Sequence, residues 1–95
     1  MYLILYDISS EKVRSRIVKY LKNKGLLRLQ KSIFAGNVKK IYIEEIIVES
    51  NQIISLETDS FIILKIDKDA FKTLKYFGQK INLHKYLKDS LIEVI

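Results

Sequence analysis

A chain of 95 residues, 48% of them hydrophobic, suffices for one domain (1–95) with a modest core and is too apolar to stay disordered. It has no cysteine, which excludes disulfides and cysteine metal sites, and no apolar run near the roughly 18 residues of a membrane span or the basic-then-apolar order of a signal peptide, so a cytoplasmic protein is expected. The net charge of +6 is uneven: residues 1–40 hold ten Lys/Arg and two acids (+8), while residues 41–95 hold seven Lys and nine acids (−2), which suggests a polyanionic partner, nucleic acid before membrane, with a solvated lysine-rich surface as the equal alternative.

Met1–Ile8, rich in Leu, Ile and Tyr, predicts a strand. Ser9 or Ser10 suits the cap of a following helix, with Glu11 at the positive end of its dipole. Val13, Ile17, Tyr20 and Leu21 make one apolar stripe on that helix, and Gly25 ends it. Leu27–Ala35 alternates, with Leu27, Leu29, Lys31 and Ile33 against Arg28, Gln30, Ser32 and Phe34. That pattern predicts a second strand turning at Gly36-Asn37. Lys39–Glu49 has the Ile and Val content of a strand, yet Glu44, Glu45 and Glu49 with Ile41, Tyr42 and Ile46 fit a helix, and a helix is expected. Ser60–Ile66 predicts an apolar strand and Asp69–Leu74 a helical turn or irregular link. Lys75–Phe77 predicts a short strand before Gly78. Leu83–Leu87 predicts one or two helical turns after an Asn82 cap, and Leu91–Ile95 a last strand. The order suits a βαββαβ, ferredoxin-like α+β fold with two helices on one face of the sheet.

In the first strand, Tyr2, Ile4, Tyr6 and Ile8 point one way and Leu3, Leu5 and Asp7 the other. Two helices cover one face only. Leu3, Leu5 and residues of Ser60–Ile66 would then leave an apolar patch too large for a lone domain. A homodimer packing sheet on sheet is the simplest remedy, with a different partner as the alternative.

That geometry puts Asp7 at the end of the first strand on the dimer face, where it would meet its own copy. Two close carboxylates share a proton or bridge a cation, and Mg²⁺ or Mn²⁺ suits such oxygen ligands and phosphodiester cleavage. The plainer role for Asp7 is a helix cap or an ion pair with an arginine. Arg14, Arg16 and Arg28 stand out among fourteen lysines, because a guanidinium grips phosphate through two parallel hydrogen bonds. Lys12, Lys19, Lys22 and Lys24 lie on or beside the same helix and could track a phosphate backbone. Surface ion pairs with Glu11 or the acidic second half are the plain reading of the arginines. Tyr6 and Phe34 suit base stacking or the core. His84, the one histidine, has no partner for a metal or triad role.

Tyr6-Asp7-Ile8-Ser9, then Lys24-Gly25-Leu26 and Arg28 to Gly36, closely resemble the small CRISPR-associated Cas-two family. Its members open with a strand ending in Tyr-Asp-Ile-Ser/Thr. An arginine-bearing helix follows, stopping at Lys-x-Gly-Leu, then Arg-x-Gln-x-Ser-Val-Phe-x-Gly; Ile33 here replaces the valine. The detailed match covers residues 2–37. The resemblance implies a ferredoxin-like homodimer, with the last strand paired to the partner's sheet. It also implies a role in CRISPR adaptation (spacer acquisition), as a nucleic-acid-binding adaptor that bridges dimers of the integrase, Cas-one. Members are also described as metal-dependent endonucleases on RNA or duplex DNA. By resemblance, Asp7 holds Mg²⁺ or Mn²⁺ with its symmetry mate, Tyr6, Arg14, Arg16, Arg28 and Phe34 serve nuclease function, and Ser32 lies between two of these. The segment 39–54 is richer in β-branched residues than the family's second helix, and the chain from Asp67 onward matches no strong motif. A ribonuclease toxin of a toxin–antitoxin pair is the alternative, and an RNA-recognition module, short of aromatics on its central strands, comes last.

Overall fold

Residues 1–75, 77 and 78 are described by a computed structural model of the chain. Its elements are β1 (Tyr2–Asp7), α1 (Glu11–Asn23), β2 (Leu27–Gln30), β3 (Ile33–Gly36), α2 (Lys40–Ile53), β4 (Ser60–Lys65) and α3 (Lys68–Lys72). The strands form one antiparallel sheet in the order β2-β3-β1-β4, the expected ferredoxin-like topology followed by a short third helix.

The ends of α1 follow from local chemistry. Ser10 Oγ accepts the Val13 N–H at 3.3 Å, and Glu11 occupies the first turn. At the other end Gly25 adopts φ +92, a conformation that would strain any side chain. Gly25 N–H donates to Lys22 O at 3.1 Å and Leu26 N–H to Leu21 O at 3.2 Å. The chain therefore reverses, and Leu26 meets Leu21 in the core.

The structure corrects the single strand expected over Leu27–Ala35. That segment is a hairpin, β2 and β3, turning at Lys31-Ser32 with a register shift between Arg28 and Gln30. Lys31-Ser32 lacks the Gly, Asn or Pro that marks a turn most strongly, and offers only a serine. The Lys31 carbonyl instead accepts hydrogen bonds from the Tyr6 hydroxyl and the Arg28 guanidinium. The shift lets both strands aim leucine, isoleucine and alanine at one face. Gly36 is not a turn residue but the last of β3, where an added Cβ would lie 2.7 Å from Leu26 Cδ2.

The helix expected from Lys39 is α2. Its cap, Lys39, makes no side-chain capping bond, and its β-branched residues favour a strand on propensity alone. Burial of Ile43 and Ile46 against the sheet and α1 decides the outcome. β4 runs as expected.

Two apolar clusters flank the sheet. Under α1 and α2 lie Ile4, Tyr6, Ile8, Ile17, Leu21, Leu26, Phe34, Ile43 and Ile46. On the other face, Leu29 and Ala35 pack with Phe71, joined by Met1, Leu3, Leu27, Ile33, Ile66 and Leu74. That second cluster amends the expectation of an open face. Asp67 caps α3 by accepting the Ala70 N–H at 2.6 Å, and Phe71 is carried onto the sheet, where it covers Leu3. Ile62 and Leu64 stay 55% and 49% exposed, so the apolar patch narrows to the β4 side.

Lys75 and Phe77 are not in a strand, and Tyr76 lies outside the described residues. The helical turns expected at Leu83–Leu87, the Asn82 cap, His84 and the last strand at Leu91–Ile95 also lie outside them. Among the described residues no helix is long and apolar enough to cross a membrane.

Candidate nucleic-acid interface

On the helix face, α1 and the β2–β3 hairpin enclose a groove of about 690 Å³. Glu11, Arg14, Ser15, Val18, Lys19 and Lys22 reach it from α1, at the spacing of a single helical stripe. Tyr6, Arg28, Lys31 and Ser32 complete its wall. Five cations thus face one carboxylate in a concave site, which concentrates positive potential.

Two of the cations are fixed by the backbone. Arg14 Nη1 donates to Ile8 O at 2.8 Å and to Ser9 O at 3.0 Å, leaving its other nitrogens for a ligand. Arg28 donates from Nε and Nη2 to Lys31 O at 3.3 and 2.9 Å. The ion pairs expected as the plain reading of the arginines are absent among the described residues, where the one ion pair is Lys24 with Glu45, at 2.8 Å. Lys19, Lys22 and Lys31 are exposed, and their side chains make no hydrogen bond among the described residues.

Tyr6 forms the floor. Its ring stacks between Phe34 and Phe61, with centroids 6.3 and 6.2 Å away, and its hydroxyl donates to Lys31 O at 2.8 Å. Burial pushes the phenol above its ordinary value, outweighing the pull of Arg28 and Arg14. Tyr6 is therefore a neutral hydrogen-bond donor at physiological pH, not a base. Phe34 is fully buried and acts in packing. Arg16 is exposed but lies roughly 200° around α1 from Arg14, outside the groove.

Asp7 is on the other side of the sheet. Tyr6 and Ile8 point under the helices, so Asp7 between them shares the face of Leu3 and Leu5. It is exposed, with no hydrogen bond or ion pair from its carboxylate among the described residues. No three metal-ligating side chains converge among those residues. One chain offers a single free carboxylate, with oxygen donors of the kind Mg²⁺ or Mn²⁺ takes, and a second copy would complete a pair. The structure brings Tyr6, Arg14 and Arg28 together at the groove, buries Phe34 beneath Tyr6, and leaves Asp7 and Arg16 apart from them.

Sequence reasoning misses Lys31 as part of the groove, because the alternation places it within a strand and not at a turn. It also misses Asp59. Asp59 Oδ1 accepts from Ser9 N–H at 3.1 Å, Ser9 Oγ at 3.1 Å and Thr58 Oγ1 at 3.0 Å, and Oδ2 accepts from Ser55 N–H at 3.0 Å. Those bonds lower its carboxyl pKa below the ordinary value, the Ser55 amide foremost. The hint in the sequence is Thr58-Asp59-Ser60, a polar trio ahead of an apolar strand.

Known proteins resemble this chain in sequence and fold. The sequence profile of the family described as CRISPR associated protein Cas2 matches residues 1–74. A Pyrobaculum aerophilum protein named CRISPR-associated endoribonuclease Cas2 2 is 30% identical over 79 residues, 82% of this chain and 87% of its own. A Thermofilum pendens protein named CRISPR-associated endoribonuclease Cas2 is 29% identical over 75 residues, 79% of this chain and 80% of its own. The crystal structure of Streptococcus pyogenes Cas2 superposes with a TM-score of 0.72 at 26% identity, covering 81% of this chain and 98% of that one. The profile spans β1 to the end of α3, and so takes in the strand carrying Asp7, the groove and Phe71 alike: the chain belongs to the CRISPR-associated Cas2 family.

Proposed function

We propose that the protein acts in CRISPR spacer acquisition as a homodimeric adaptor that holds nucleic acid for the integrase, Cas-one. The observation that carries this reading is the separation of the basic groove from Asp7. Arg14, Arg28, Lys19, Lys22 and Lys31 gather on the helix face, while Asp7 shares the other face with Leu3 and Leu5. One protomer therefore cannot present both to the same phosphate, as a self-contained nuclease would. A groove of this composition suits a phosphate backbone whatever its sequence.

Two features support the dimer. Ile62 and Leu64 remain exposed beside Leu5, and β4 ends the sheet among the described residues. Ile66 N–H donates to Met1 O at 2.9 Å. By the alternation of an antiparallel ladder, Phe61, Ile63 and Lys65 then turn their backbone groups outward. Such an edge accepts a further strand, and Leu91–Ile95 of the partner subunit has the composition to supply one.

A second reading, metal-dependent endonuclease activity on RNA or DNA, is favoured by the names of the curated relatives and by the free Asp7 carboxylate. Asp7 and its copy would hold Mg²⁺ or Mn²⁺, with water filling the remaining positions. Bound there, the metal would supply charge stabilisation for phosphodiester hydrolysis. Family membership sets the toxin reading behind both.

Spacer acquisition in cells carrying the integrase and a repeat array separates the two. On the adaptor reading, Asp7→Ala retains acquisition and a Lys19→Ala/Lys22→Ala/Lys31→Ala variant loses most of it. The opposite pattern would overturn that reading in favour of the nuclease.

A further inference from the structure

The junction between β1 and α1 is held from both sides. Asp59 takes hydrogen bonds from the backbone N–H and the hydroxyl of Ser9. Arg14 Nη1 holds the carbonyls of Ile8 and Ser9. Ser9 thus has its amide, carbonyl and side chain all engaged, which is unusual for an exposed residue at the end of a strand.

The covalent neighbours of these groups close a small ring. Asp59 precedes Ser60, and Ser60 is the register partner of Asp7 across the β1–β4 ladder. Counting by twos from the Ile66–Met1 bond makes Asp7–Ser60 a hydrogen-bonded pair. The ring therefore runs from Asp7 through Ile8 to Ser9, across to Asp59, on to Ser60 and back to Asp7. The remaining bonds of Asp59, to the Ser55 amide and the Thr58 hydroxyl, tie the same carboxylate to the α2–β4 loop.

Strand ends fray, yet a group that must meet its own copy across a two-fold axis needs its backbone held to within about half an ångström. From this geometry we infer that Asp59 is a positioning residue for Asp7. It never contacts the Asp7 side chain. It fixes the backbone around Asp7, through Ser9 in the β1–α1 junction and through Ser60 across the β1–β4 ladder, so that the carboxylate projects at one place on the open face. The inference rests on Asp7 being a metal-binding group.

Mn²⁺ binding to the full chain, followed by electron paramagnetic resonance of the free ion, tests it apart from cleavage. Asp7→Ala is the reference for loss of the site. Asp59→Ala removes every acceptor. Asp59→Asn, which keeps the shape and part of the bonding, guards against a variant that fails to fold. Ile46→Val, a mild cavity in the core away from the ring, controls for loss of stability alone. The expected result is Mn²⁺ affinity weakened about tenfold or more by Asp59→Ala, less by Asp59→Asn, and unchanged by Ile46→Val. Affinity at wild-type level in both Asp59 variants, with Asp7→Ala inactive in binding, would overturn the role of Asp59. So would an equal weakening by Ile46→Val. If the wild type binds Mn²⁺ no better than Asp7→Ala, the metal reading of Asp7 fails first and the positioning role goes with it.

Discussion

Tyr6 shows how one residue serves two levels of the structure. Its ring belongs to the core between Phe34 and Phe61, and its hydroxyl closes the β2–β3 turn by donating to Lys31 O. Tyr6→Phe should lower the unfolding free energy by about 1 kcal/mol near neutral pH, measured by urea denaturation. Because burial raises the Tyr6 pKa above 10.0, the folded state keeps the phenolic proton at a pH where the unfolded chain has released it. Stability from that source is therefore present below pH 10 and lost as pH rises through the raised value. The gap between wild type and Tyr6→Phe should narrow above pH 10. A gap that widens there would mean the phenol ionises more easily in the folded protein. At this scale the sequence is informative about residue type and silent on direction. Arg14 and Arg28 are recognisable as unusual, but that each first binds backbone carbonyls depends on local folding, which for Arg28 means a turn at Lys31-Ser32 marked only by a serine.

At the scale of elements, the legible parts are those with local signals. α1 carries its cap, its apolar stripe and its terminal glycine within its own sequence, and β1 and β4 are long apolar runs. α2 is ambiguous because its Ile and Val residues favour a strand on propensity, and the packing of Ile43 and Ile46 against distant residues settles it. The hairpin reads as one strand because its alternation continues across the turn and only the shift between Arg28 and Gln30 breaks the register. α3 shows the same limit: Asp67 is a visible cap, but nothing local says that Phe71 crosses to the far face. α2 also holds Ser50, which is buried with no hydrogen-bond partner for its Oγ among the described residues. Replacing an unsatisfied buried hydroxyl with a methyl group should cost nothing, so Ser50→Ala should leave stability unchanged or raise it by about 1 kcal/mol. Thermal unfolding checks this, and a clear loss would show that the hydroxyl has a partner.

Over the whole molecule, the charge asymmetry of the sequence becomes a division across the sheet, from the hairpin side to the β4 side. The basic first half supplies β1, α1 and the hairpin, and those elements enclose the groove; the acidic second half supplies α2 and β4, which lie away from it. Net charge thus points to a polyanion partner, and strand alternation to an Asp7 that faces away from the helices. That the sheet separates Asp7 from Arg14 and Arg28 requires the fold, because only the packing of α1 shows which side Arg14 occupies. The claim that most needs testing is that the groove binds a phosphate backbone. Fluorescence anisotropy of labelled duplex DNA, titrated over a range of salt concentrations, tests it directly with wild type and the Lys19→Ala/Lys22→Ala/Lys31→Ala variant. Those three lysines are exposed and their side chains hold no backbone group among the described residues, so the variant should fold normally. The salt dependence of binding should become shallower, by about 0.9 in the log–log slope for each phosphate that the variant no longer neutralises, with affinity falling together on all sequences. An unchanged slope and affinity would place the nucleic acid elsewhere on the protein and contradict the reading given to the groove.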